Sequence, residues 1–138
     1  MKYRFLSHTA DLKIRVYGKN LNQIINNSLL ALKDFLKPKL KKNKLFYLNI
    51  SASGFDYQEA LISFLSEVLA KTYIKKIIFF KLLRGLIYKN RKNQIVIKGK
   101  IVGYRFNFLQ KDIKAITYHQ VILKKWGENL IFEFVVDI

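Results

Sequence analysis

The chain has 138 residues, 51% of them hydrophobic, 26 Lys and Arg against 9 Asp and Glu for a formal net charge of +17, and no cysteine. That apolar content excludes a disordered chain, and the length suits one domain with a substantial core. Lack of cysteine excludes disulfides, thiolate metal sites and a cysteine nucleophile; Lys81 and Arg84 interrupt the best apolar run, residues 77–87, well short of a membrane span.

Residues 3–6 predict a short strand. Leu12, Ile14 and Val16 alternate with Lys13, Arg15 and Tyr17, the pattern of a half-buried strand, which Gly18 ends. Leu21, Ile24, Ile25, Leu29, Leu32 and Leu36 recur at helical spacing behind Asn20, a candidate N-cap. Residues 37–44 hold the sole proline and the densest lysines, and predict a solvated loop. Phe46, Leu48 and Ile50 then alternate as a strand. Asp56 and Glu59 resemble a capping box, opening a second helix whose apolar stripe is Leu61, Phe64, Leu65, Val68 and Leu69. From Lys76 onward the pattern is strand-like, with turns at 90–93 and 126–129, the latter offering Gly127 for a positive φ. Gly99 and Gly103 fall inside strands and mark bulges or close approaches. The fold class expected is α+β: one domain over 1–138, two helices in the first half, and antiparallel-rich sheet.

The lysines are spread along the chain, and Ile, Asn, Phe and Tyr are equally abundant, as AT-rich codon usage produces. A polyanion partner is the functional reading of the same charge. Acids are scarce, so their placement carries more information. The final apolar run, 130–136, leads straight into Asp137 and Ile138. A strand docked in the core would hold the Asp137 side chain and the Ile138 carboxylate in place as buried or half-buried anions, which need a cation or donors. Asp11 opens another strand near the start. Three such oxygen groups suit a hard cation.

Taken singly, His8 and His119 read as hydrogen-bonded structural residues, and neither a zinc spacing nor a hydrolase triad is present. Glu67 is an ordinary flanking charge on the second helix. Asp34, Asp112, Glu128 and Glu133 read as solvated. A nucleic-acid-binding module would use the lysines with Tyr3, Tyr47, Tyr57 and Tyr104, although alternation in strands assigns these rings mostly to core packing. A metal-dependent phosphohydrolase would use Asp11, Asp137 and a histidine base.

Three stretches together resemble the archease family: the His8-Thr9-Ala10-Asp11 opening with Gly18 at the strand end; residues 59–69 with an internal Glu67; and Lys114-Ala115-Ile116-Thr117-Tyr118-His119 followed by a strand ending in Asp137-Ile138. The match spans nearly the whole chain. Lys13, Ser66 and Tyr104 depart from residues common in the family. The Met1-Lys2-Tyr3-Arg4 start lacks the apolar run of a signal peptide, so a soluble, cytoplasmic protein is expected; the resemblance implies a non-enzymatic activator of an RtcB-type RNA ligase in tRNA splicing or RNA repair, one that promotes guanylylation and multiple turnover. It implies a divalent metal held by Asp11, Asp137 and Ile138, Ca²⁺ in the first instance with Mg²⁺ or Mn²⁺ as alternatives. It implies a functional surface of His8, Glu67, Lys114 and His119, no membrane, and an RNA contact made directly or through the ligase.

Overall fold

The computed structural model describes residues 1–7 and 11–138. Its elements are β1 (Tyr3–Ser7), β2 (Asp11–Gly18), α1 (Leu21–Leu36), β3 (Pro38–Gly54), α2 (Tyr57–Lys75), β4 (Ile77–Lys89), β5 (Ile95–Leu109), β6 (Ala115–Ile116), β7 (Ile122–Trp126) and β8 (Asn129–Asp137). Among the described residues the strands form two antiparallel sheets. One has the order β1-β2-β8, with β6 and β7 following one another along the far edge of β8; the other has the order β3-β5-β4.

The helices lie between the sheets. α1 packs on β2 and on β4, and α2 packs mainly on β3 while also touching β6 and β7. A helix with an apolar layer on both sides must be apolar on more than one stripe. Ala60, Leu61, Ile62, Phe64 and Leu65, five of six successive positions in α2, are accordingly fully buried. Asn20 Oδ1 accepts from the Gln23 N–H and Asp56 Oδ1 from the Glu59 N–H, so both helices begin with the side-chain caps their sequences predict. Each sheet turns one face to the helices. Leu12, Ile14 and Val16 on β2 sit opposite Val136, Phe134 and Phe132 on β8, and all six are buried.

Two turns match expectation: Asn93 (φ 60°) closes the β4–β5 hairpin, and Gly127 (φ 62°) the β7–β8 hairpin. Gly103 is a close approach, since a Cβ there would lie 2.1 Å from the Ile78 carbonyl oxygen.

One expectation is overturned. Residues 37–44 do not form a solvated loop. Lys37 adopts a left-handed conformation as the C-cap of α1, and β3 begins at Pro38, pairing Pro38 with Leu109, Lys39 with Phe108 and Leu40 with Phe106. Lys39 and Lys41 are exposed while Leu40 packs on the core. This is strand pairing in which the inward Leu40 was obscured by the lysines around it. The register shifts between Lys39 and Leu40 and again between Lys41 and Leu45.

Candidate functional site

Strand β8 is interior to its sheet, with β2 on one side and β6 on the other. Its last residue, Asp137, stands directly opposite Asp11, the first residue of β2. Opposite residues of an antiparallel pair project to the same face, with Cβ atoms about 4.5–5.5 Å apart. On the other side Asp137 pairs with Ala115 of β6, and its carbonyl accepts the Lys114 N–H at 2.7 Å. Backbone bonds on both flanks therefore fix where the carboxylate leaves the sheet, and Ile138 follows at once.

The two aspartates lie on the face turned away from the helices. Asp11 is half-buried; Asp137 is exposed, and Ile138 is 44% exposed. The expectation of buried anions at Asp137 and Ile138 is thus corrected: the apolar strand is buried as far as Val136, but its acidic end reaches solvent, where a partner can approach. Among the described residues no three His, Asp or Glu side chains gather into a metal-sized group.

Beyond β6 the chain turns through Tyr118 and His119 with Gln120 left-handed at φ 57°. The Thr117 N–H bonds the Val135 carbonyl at 2.9 Å, and the Tyr118 hydroxyl shares a 2.8 Å hydrogen bond with Ser63 Oγ on α2. Glu67 lies one helical turn beyond Ser63, and its carboxylate pairs with Lys71 at 3.6 Å. Lys114 and His119 are exposed. The structure thus joins Asp11 to Asp137 by strand pairing, Lys114 to Asp137 through the backbone, and the turn holding His119 to the helix that carries Glu67. His8 lies outside the described residues.

Tyr118, Ser63 and Thr117 were not singled out in the sequence. Thr117 Oγ1 is buried without a hydrogen-bond partner among the described residues. Tyr118 and Thr117 lie inside the Lys114–His119 motif, which was the available signal; nothing in the sequence marked Ser63.

Two further corrections concern the outward faces. Glu133 is not solvated: it is 7% exposed, and its Oε1 accepts from Arg15 Nε at 2.5 Å across the β2–β8 pair. The hydrogen bond to Glu133, followed by one to Tyr17, holds the Arg15 guanidinium above its ordinary pKa. Nor does core packing account for Tyr47 and Tyr57, which are 55% and 44% exposed. Tyr104, by contrast, is half-buried and stacks on Phe80 with ring centroids 5.4 Å apart.

The model of the Archease protein family (MTH1598/TM1083) matches residues 3–138. The chain belongs to the archease family. It is 28% identical over 141 residues to the protein archease of Sulfurisphaera tokodaii, covering 99% of both chains. It is likewise 28% identical to the protein archease of Methanosarcina acetivorans, covering 99% of this chain and 96% of that one. Among solved structures it resembles the solution structure of Methanobacterium thermoautotrophicum protein 1598, with a TM-score of 0.75 at 19% identity over 99% of this chain and 98% of that one. It also resembles the crystal structure of a Thermotoga maritima archease described as a possible chaperone, with a TM-score of 0.66 at 17% identity over 96% and 94%. These structural likenesses establish the archease fold. No described helix is long and apolar enough to cross a membrane.

Proposed function

We propose that this archease is a non-enzymatic activator of an RtcB-type RNA ligase, promoting guanylylation and repeated turnover, and that it works through the acidic end of the β2–β8 pair. The observation that carries the reading is the register of Asp11 against Asp137. Two strands from opposite ends of the sequence deliver carboxylates to one solvent-facing spot of a very cationic protein. Like charges so close repel, and a cation shared between them would turn that repulsion into attraction.

The donor set fits a hard divalent cation, since it consists of oxygens alone. Asp11 and Asp137 would hold it, and the Ile138 carboxylate would supply the third anionic group, because no third acidic or histidine side chain joins them among the described residues. Ca²⁺ suits an open set of carboxylate oxygens, and Mg²⁺ or Mn²⁺ are chemical alternatives. Bound there, the ion would supply concentrated positive charge for the oxygens of a partner's nucleotide. The surrounding residues have separate tasks. The Lys114 N–H fixes the backbone of Asp137, while the Lys114 side chain and His119 offer exposed hydrogen-bond donors to the docked ligase. The Tyr118–Ser63 bond keeps that turn on α2, beside Glu67. His8, three residues before Asp11 in the sequence, is proposed as a further contact to the ligase.

Multiple-turnover RNA ligation by the cognate ligase, with and without this protein, tests the reading. Faster turnover on addition is expected. An unchanged ligase would reject it, and phosphate-ester hydrolysis by the purified protein alone, lost in Asp11→Ala, would favour a phosphohydrolase instead.

A further inference from the structure

The second sheet carries a different chemistry. Residues 38–55 and 77–110, which make up its strands and hairpin, contain 12 of the 26 Lys and Arg and none of the 9 Asp and Glu. Codon bias toward AT does not produce that exclusion, because AT-rich codons also encode Asp and Glu. The acids have been kept off one sheet.

Its outward face is patterned. Along β3, Tyr47, Asn49 and Ser51 alternate outward and are exposed; along β5 so are Lys98 and Lys100; along β4 so are Leu86 and Tyr88. Asn49 stands opposite Lys100, Ser51 opposite Lys98, and Leu86 opposite Lys98 on the other side. The Lys100 ammonium lies 6.0 Å from the Tyr47 ring centroid and the Lys98 ammonium 5.3 Å from that of Tyr88. Tyr47 remains 55% exposed and Tyr88 39%. The rung of Tyr47 and that of Tyr88 are six β5 residues apart, Val102 to Val96, or about 20 Å at strand rise. Between them a cleft of about 560 Å³ is lined by Asn49, Ser51, Arg84 and both lysines. Arg84 is placed there by its left-handed backbone (φ 52°), where the register of β4 shifts.

From this we infer that the outward face of the β3-β5-β4 sheet binds single-stranded RNA. Phosphates would be met by Lys98, Lys100 and Arg84, bases would stack on Tyr47 and Tyr88, and Asn49 and Ser51 would offer hydrogen bonds in the cleft. Cations interleaved with exposed rings on an open sheet are what a flexible polyanion with stackable bases requires. An acidic protein would need the cations but has no use for two separated rings beside an amide and a hydroxyl. The inference is independent of the ligase reading, since it concerns RNA and this protein alone.

The test is fluorescence anisotropy of a short labelled single-stranded RNA with the full chain at several salt concentrations. Binding should weaken steeply with salt. Lys98→Gln with Lys100→Gln should weaken it and make the log–log salt slope shallower by about 1.4. Tyr47→Ala should weaken it about tenfold while leaving the slope unchanged. Lys124→Gln with Lys125→Gln, an equal charge loss on exposed β7 positions of the other sheet, should change affinity less than about twofold. These are surface positions, and thermal melts confirm that each variant is folded. Equal losses from both lysine pairs would overturn the assignment in favour of a diffuse charge effect. So would equal affinity for a duplex of the same length, or for a polyglutamate peptide, which would point to a protein partner. Failure to bind RNA near physiological salt would overturn it outright.

Discussion

The outward face of the β1-β2-β8 sheet contains the Arg15–Glu133 pair and ends in Asp11 opposite Asp137, whereas the strands of the β3-β5-β4 sheet contain no carboxylate at all. Their inward faces have the same task, covering two helices, and both are built from large apolar residues: Leu12, Ile14, Phe132 and Phe134 in one, Ile50, Ile97 and Ile101 in the other. Packing against a shared helical layer constrains only volume and apolarity. The outward faces are free of that constraint, and there the chemistry diverges. One sheet concentrates scarce anions at a single end; the other excludes them.

The comparison can be broken most severely through the helix the sheets share. Leu65 is fully buried on α2. Leu65→Ala should cost roughly 2–5 kcal/mol, read by denaturant unfolding, and should impair the functions of both faces together. If one function survived at full strength in the unfolding range, the sheets would not depend on a common core.

Arg15→Ala addresses the acidic sheet alone. It strands a buried Glu133 without its cation and should destabilise by about 2 kcal/mol, less than a fully buried pair would lose because the Arg15 side chain is 32% exposed. Replacing both partners with apolar residues should recover much of that loss. RNA affinity on the opposite face should not move.

Extending the chain beyond Ile138 by a few residues converts its carboxylate to an amide and crowds Asp137. Ligase activation should fall about tenfold, at least as much as the loss of an outer partner of a metal site costs, while melting changes little. An N-terminal extension should be milder. Equal activities of the two forms would remove Ile138 from the site.

The smallest expected effect is alkaline. Burial raises the Tyr73 hydroxyl above its ordinary pKa, and Asp112 adds to this, although its acceptance of the Ile113 N–H acts the other way. Burial and then the Asp34 carboxylate, which accepts its hydrogen bond, raise Tyr3 likewise. A phenol with a raised folded pKa keeps its proton longer in the native state. Its stabilisation is complete below the unfolded value near about 10 and is lost as pH rises through the folded value. Melting temperature should therefore decline above about pH 10, and Tyr73→Phe should decline less steeply over that window.

Much of this architecture was legible in the sequence because local signals agreed with tertiary need. Asn20 and Asp56 cap the helices, Gly127 turns a hairpin, and the alternation of Leu12, Ile14 and Val16 marks the buried side of β2. Residues 37–44 were misread because their pairing partners on β5 lie some 65 residues away, and one inward leucine among lysines is too weak a period to detect. Glu133 was misread for the same reason, since only the β2–β8 register brings Arg15 to it. For the site, the Asp11 and Asp137 motifs were visible, but their adjacency, the exposure of Asp137, and the Ser63–Tyr118 link are products of strand order and helix placement. The acid-free sheet was present in the sequence as a gap between acids. It became a face only once β3, β4 and β5 were seen to pair.

The central claim is that the aspartates at the end of the β2–β8 pair act on the ligase rather than on the fold. Multiple-turnover ligation with Asp11→Ala and Asp137→Ala, paired with thermal melts in chelator, tests it most directly. Activation should fall at least about tenfold in each variant, and Asp137→Ala, at an exposed position, should melt within roughly 0.5 kcal/mol of wild type. Variants that melt far below wild type in chelator, or that activate the ligase fully, would contradict the account.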